Sequence, residues 1–160
     1  MIRKPAFVSI LLILVLTAAT AVLGALVSGG SDDPWYAGLT KPLLTPPDLT
    51  FAIIWPILFV LMALGACLVR LRAGRFAVAS PALGLYFTQL TLNLSWSWLF
   101  FGFQQIGLAL LILCALWLLI LAMMRAFGRH SLIATVLQLP YLIWVTFAGY
   151  LNASIWLLNP

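Results

Sequence analysis

Charge is what this chain has least of: only 7% of its 160 residues are Asp, Glu, Lys or Arg, against about 25% in ordinary globular chains. Hydrophobic residues make up 65%. That excludes a soluble domain of this size and describes a polytopic membrane protein. Acids number three, Asp32, Asp33 and Asp48, and all lie outside the long apolar runs. With no acid or base inside a run, a proton relay or ion-coupled transport site of the usual type lacks its ionisable groups. The single histidine, His130, sits in a basic loop next to Arg129, which argues against an axial haem ligand buried among helices. Two cysteines, Cys67 and Cys114, fall within apolar runs and imply neither a disulfide nor a metal site. No nucleophile, base and orienting acid can be assembled, and no phosphate-cradling glycine loop is present, which argues against hydrolytic and phosphoryl chemistry. The formal charge of +5 would suggest nucleic acid elsewhere. Here the basic residues are divided among short loops, so they read as topogenic charges and no nucleic-acid partner is expected.

What the chain does have is long apolar runs. Five of them, at about 6–27, 49–69, 76–101, 106–124 and 132–157, are expected to cross the bilayer as helices. The fold class expected is therefore an all-α integral membrane protein, one domain over 1–160 built as a five-helix bundle. The first run follows Arg3 and Lys4 as a secretory signal would, but its 22 residues exceed a typical signal core and fit a span. Five spans put Arg3, Lys4, Arg70, Arg72, Arg75, Arg125 and Arg129 on one side, leaving Lys41 with all three acids on the other. The positive side is cytoplasmic, so the N-terminus is expected there and the C-terminus opposite.

Between the first two runs lies a loop, 28–48, in which about fifteen residues from Pro34 onward lack helical or strand periodicity and are rich in proline. A loop this long inside a compact domain is usually functional, and this one reads as a stiffened lid or, alternatively, as a plain connector. Thr45-Pro46-Pro47-Asp48 fits a helix start, with Thr45 as N-cap and Asp48 reaching back to it.

The interior is expected to be aromatic and amide-lined. Gln89, Asn93, Trp96 and Ser97 share one face of the third helix, and amides in lipid must find partners, so that face points inward. They serve either to bond neighbouring helices or to orient a guest. Tyr141, Trp144, Ala148 and Leu151 form a stripe on the last helix, where Gly149 reads as close helix packing. Trp35, Trp96, Trp98 and Trp156 lie near span ends, where tryptophan collects at the headgroups, whereas Trp55 and Trp144 sit deeper and are better candidates for a stacking wall. Ser80 and Gly84 form a small-residue pair suited to a dimer contact.

The set Trp35-Tyr36-x-x-Leu39-x-Lys41-Pro42-x-x-x-Pro46-Pro47, then Trp55, Leu92-Asn93-x-x-Trp96 with Leu99-Phe100-Phe101-Gly102, and Pro140-Tyr141-x-x-Trp144 through Leu151-Asn152 closely resembles the tryptophan-rich sensory protein family. This is the TspO/MBR group, whose eukaryotic members are translocator proteins or peripheral-type benzodiazepine receptors. The resemblance covers nearly the whole chain. It implies a five-helix bundle, usually a homodimer, with a pocket beneath the first loop. It also implies ligands such as protoporphyrin IX, haem, sterols and benzodiazepine-type molecules, and no required cofactor. By position the pocket would comprise Trp35, Trp55, Asn93, Trp96, Trp144, Phe147, Ala148 and Leu151, under a lid carrying Lys41, Pro42, Pro46 and Pro47. The expected function is a membrane receptor for tetrapyrroles, acting in their trafficking, regulation or disposal. Light-dependent porphyrin breakdown at Trp55 and Trp144, or transport of porphyrin, sterol or lipid, are the alternatives. Two departures from the family pattern stand out: Leu43 and Leu44 replace an aromatic after Lys-Pro, and nothing basic follows Tyr150 as a cholesterol-recognition pattern requires.

Overall fold

The computed structural model describes residues 4–160, and no strand occurs among the described residues. Arg3, counted above among the cytoplasmic charges, lies outside the described residues. Helices α1 (Lys4–Val27), α3 (Asp48–Arg72), α4 (Phe76–Ser97), α5 (Ile106–Gly128) and α7 (Leu139–Leu158) form the bundle, joined by short helices α2 (Pro34–Gly38) and α6 (Leu132–Val136). Packing runs in a ring, α1 to α3 to α7 to α5 to α4 and back to α1.

Four segments, Ala6–Asp32, Asp48–Arg72, Ile106–Gly128 and Leu132–Leu158, are long and apolar enough to cross a membrane. The protein is thus a multi-pass integral membrane protein. Helix α4 is comparable in length, 22 residues or roughly 33 Å, but Thr88, Gln89, Thr91, Asn93, Ser95 and Ser97 dilute its hydropathy.

Each helix turns one stripe inward. On α1, Ile13, Thr17 and Thr20 are buried while Phe7, Val8, Leu11, Leu12 and Val15 face outward. Outward apolar surface of that extent belongs against lipid. The Thr17 and Thr20 hydroxyls donate to the carbonyls of Ile13 and Leu16 one turn back, so these polar groups enter the core already satisfied. On α4 the buried series Ala79, Leu83, Tyr86, Leu90, Asn93 and Ser97 advances by three or four, the helical period. Buried residues on α5, from Ala109 through Leu113, Leu116 and Ile120 to Phe127, do the same.

Two expected spans end or divide differently. The run 76–101 is α-helical only to Ser97, after which Trp98–Gly102 widens into a π turn. The run 132–157 is broken at Leu137 and Gln138, because Pro140 offers no N–H and its ring crowds the carbonyl four residues earlier.

The short α6 helix crosses α3 at Gly65. A Cβ there would lie 2.1 Å from Gln138 Nε2 and 3.1 Å from the Ala134 carbonyl oxygen. Gly149 is different, since its Cβ would meet only Leu113 Cδ2 at 3.9 Å, an ordinary contact. The absence of a side chain is therefore required at Gly65 and not at Gly149. Gly65→Ala is expected to destabilise the bundle by about 1–3 kcal/mol, the usual range for overpacking, with Gly149→Ala near neutral. Denaturant unfolding in detergent, followed by circular dichroism, checks both.

Candidate ligand-binding site

The segment after α1 turns at Gly30, whose φ of +56° is left-handed and favours glycine. A 3-10 turn, Gly30–Asp32, leads directly into α2. The expectation of an aperiodic loop is corrected here. Asp33 caps α2, its Oδ1 accepting from Trp35 N at 2.8 Å and Tyr36 N at 3.1 Å, and Pro34 occupies the first turn. The cap expected at Thr45 is also absent. Its hydroxyl donates to the Pro42 carbonyl at 2.8 Å, closing a turn inside the loop, and α3 starts at Asp48 after Pro47 with no side-chain cap. Asp48 instead accepts from Ser31 N at 2.8 Å, tying the start of the loop to the start of α3.

A second tie holds the middle of the loop. Asn159, just beyond α7, accepts from Thr40 N at 2.9 Å and donates through Nδ2 to the Thr40 carbonyl at 3.0 Å. Lys41 Nζ sits 4.5 Å over the Tyr36 ring and reaches the carbonyls of Ala37 and Leu39 at 3.5 and 3.4 Å. Burial, and then the nearby Asp48 carboxylate, push the Tyr36 hydroxyl above its ordinary pKa.

Under this strapped loop is a cavity of about 580 Å³. Helix α1 contributes Ala21, Gly24 and Ala25, and the loop Ser28, Asp32 and Tyr36. Helix α3 contributes Asp48, Phe51, Trp55 and Phe59, while α4 and the turn after it add Asn93, Trp96, Ser97 and Phe101. The wall is a run of tilted rings: Trp55 lies 6.2 Å from Trp96 and 5.7 Å from Phe59, and Trp96 lies 6.0 Å from Phe100. Such separations suit aromatic contact and leave faces for a flat guest.

The polar groups behind this wall are held from other helices. Trp96 Nε1 donates to Asn152 Oδ1 at 3.1 Å, and Asn152 Nδ2 donates to the Ile106 carbonyl at 2.9 Å. Asn93 Nδ2 donates to Tyr141 Oη at 3.1 Å, and Tyr141 donates to Gln89 Oε1 at 2.9 Å. Gln89 lies outside the cavity lining and bonds helix to helix, its Nε2 also donating to Met62 Sδ on α3 at 3.7 Å. Asn93 both bonds across helices and lines the cavity: it is only 3% exposed, and its Nδ2 donates to Tyr141.

Of the residues singled out from sequence, Trp55, Asn93 and Trp96 come together on this lining. Trp144, Phe147, Ala148 and Leu151 are not on it. Trp144 packs edge-on against the lining residue Phe51 at 5.6 Å and lies 5.7 Å from Phe147, with its Nε1 buried and unpartnered. Phe147 stacks on Tyr150, and Ala148 and Leu151 are buried in the bundle. Trp35 contacts Phe100 at 5.7 Å, one ring behind Trp96. Lys41, Pro42, Pro46 and Pro47 belong to the strap and do not line the cavity. Sequence reasoning missed the α1 wall and the pair Phe51 and Phe59. The spacing of 51, 55 and 59, every four residues, was the available signal for the aromatic stripe on α3.

A family model described as the TspO/MBR family matches residues 10–157. Similar curated proteins include Protein CrtK of Rhodobacter capsulatus, 35% identical over 143 residues, which cover 89% of this chain and 88% of that protein. Tryptophan-rich protein TspO of Chlorobaculum tepidum is 40% identical over 126 residues, 79% of this chain and 80% of its own. Translocator protein of Bos taurus is 40% identical over 135 residues, 84% of this chain and 80% of its own.

The paired bonds from Asn159 are what hold Thr40 against the end of α7. Losing both, at about 1 kcal/mol net each, is expected to raise amide exchange at Thr40 by roughly tenfold or more in Asn159→Ala. Hydrogen–deuterium exchange in detergent checks it, with protection in α5 as the unaffected internal reference.

Proposed function

This chain belongs to the TspO/MBR family, and from that premise together with the cavity we propose that it is a membrane receptor for tetrapyrroles and similar flat hydrophobic molecules. The observation that carries the proposal is the Trp55 and Trp96 pair lining a cavity of about 580 Å³ beneath a loop tied down at Ser31 and at Thr40. Small-molecule sites commonly measure about 300–1,000 Å³ and are largely apolar with a few placed polar groups. A flat guest would gain mainly from apolar burial and ring contact, and Asn93 would orient it. No resident cofactor is needed, since porphyrin or haem is the guest.

In this proposal α4 is a fifth span. Its polar residues either face the bundle or, like Thr88, Thr91 and Ser95, donate back to carbonyls one turn earlier, which makes them tolerable in lipid. The positive residues then place the N-terminus in the cytoplasm and the strapped loop on the opposite side. Exposed Ser80 and Gly84 on α4 leave a shallow strip at which a second copy could pack closely to form a homodimer.

The test is a titration with protoporphyrin IX, read from the absorbance of the porphyrin so that removing tryptophans does not alter the signal. Saturable binding is expected. A Trp55→Leu, Trp96→Leu double variant is expected to bind about tenfold more weakly, from two lost ring contacts of about 0.5–1.5 kcal/mol each, with Trp144→Phe close to the parent. Equal affinity in the double variant would sink the proposed cavity.

The two lining indoles also favour a second reading, light-driven oxidation of the bound porphyrin with dissolved dioxygen as the oxidant. Illuminating the complex distinguishes it: loss of porphyrin in the parent but not in the double variant loaded to equal occupancy supports the enzyme.

A further inference from the structure

Among the described residues, Arg70 is the only charged side chain that is buried, at 2% exposed. It stands in the last turn of α3, at the end of the bundle away from the cavity. Its Nη1 donates to the Gly74 carbonyl at 3.3 Å, while its buried Nε finds no partner. A guanidinium carries several N–H donors and keeps its charge when buried, so one long bond to a carbonyl leaves it short of both partners and counter-charge. No carboxylate answers it. The sequence holds no acid after Asp48, which stands at the opposite end of α3, about 33 Å away and several screening lengths distant.

The turn that Arg70 reaches has donors to spare. Gly74, at a left-handed φ of +67°, leads through extended Arg75 into α4, and no side chain caps that helix. The first-turn amides of Phe76 and Ala77 are therefore left uncapped where the helix dipole is positive, and both residues are exposed. A Cβ on Gly74 would meet nothing within 4 Å, so the space in front of the turn is open. Exposed Leu71 and Phe76 flank it with apolar surface, at the end of a helix long and apolar enough to span the bilayer.

We propose that the turn between α3 and α4 is a binding site for a phosphate group, with the α4 amides donating to its oxygens and Arg70 supplying the counter-charge from beneath. Amides at a helix start suit phosphate, and a cation set behind them in protein rather than water is weakly screened. The place of the turn, at headgroup depth between apolar side chains, favours the phosphodiester of an anionic lipid as the source. Exposed Arg72, Arg75, Arg125 and Arg129 raise the local concentration of anions without selecting a position. The site is independent of what the cavity holds.

Native mass spectrometry in a maltoside detergent, which carries no phosphate, tests this by titration with phosphatidylglycerol or with phosphatidylcholine of the same chains. The parent is expected to retain a single phosphatidylglycerol about tenfold more tightly than phosphatidylcholine. Arg70→Gln is expected to erase most of that preference. Arg129→Gln, which removes an exposed arginine at the same end, is expected to keep it. Phe76→Pro gives a second reading should Arg70→Gln fail to fold by circular dichroism. Proline suits the first helical position after an already extended Arg75, removes one amide donor and alters no charge, and is expected to weaken phosphatidylglycerol severalfold. Displacement of the lipid by millimolar inorganic phosphate would support the same site with free phosphate as its occupant, and resistance to it would support the lipid. Equal retention of the two lipids would overturn the proposal. Equal losses in Arg70→Gln and Arg129→Gln, or full retention in Phe76→Pro, would do so too.

Discussion

Tyr141 accepts from Asn93 and donates to Gln89 in the middle of a bundle whose surroundings offer no water. Hydrocarbon supplies no hydrogen-bond partner, so every amide carried into it must be answered by another helix. The consequence is positional. Helices α4 and α7 meet through this chain of bonds and through Trp96 to Asn152, and those bonds set the depth and direction of the cavity wall. A separate bond between Thr17 on α1 and Tyr86 on α4 ties α1 to the same helix. Polar side chains therefore fix where the aromatic ones stand.

The strapped loop applies the same logic outside the bilayer. Its prolines limit the chain's freedom, but they do not position it. Position comes from Asp48 on Ser31 N and from Asn159 on Thr40, side chains that belong to α3 and the end of α7. Each tie joins the loop to a helix lining or backing the cavity, so movement of the cover and movement of the wall are coupled.

Much of this was legible beforehand. The apolar runs located the long helices, since a stretch of about twenty apolar residues has few alternatives to a helix in lipid. The inward face of α4 was readable from the spacing of Gln89, Asn93 and Trp96. The capping pattern of an acidic or hydroxylated residue before proline was also sound, but it was applied at Thr45-Pro46 when the working instance is Asp33-Pro34. Both pairs satisfy the local rule. Thr45 is diverted because its hydroxyl closes a turn onto Pro42, a contact that local sequence does not distinguish from a cap.

The amino-acid sequence by itself determined that the chain is helical, that it lives in a membrane, which end of the bundle is basic and which acidic, and that rings and amides, with no acid or base among them, lie along its apolar runs. Only the tertiary structure decided which rings share a cavity. Trp55 and Trp144 look equivalent along the chain, yet α1 leaves its small residues Ala21, Gly24 and Ala25 beside α3 and α4, so space opens next to Trp55, while Phe51 fills the ground in front of Trp144. A void is a property of how helices from distant parts of the chain fail to fill one another's gaps, and no single stretch encodes it.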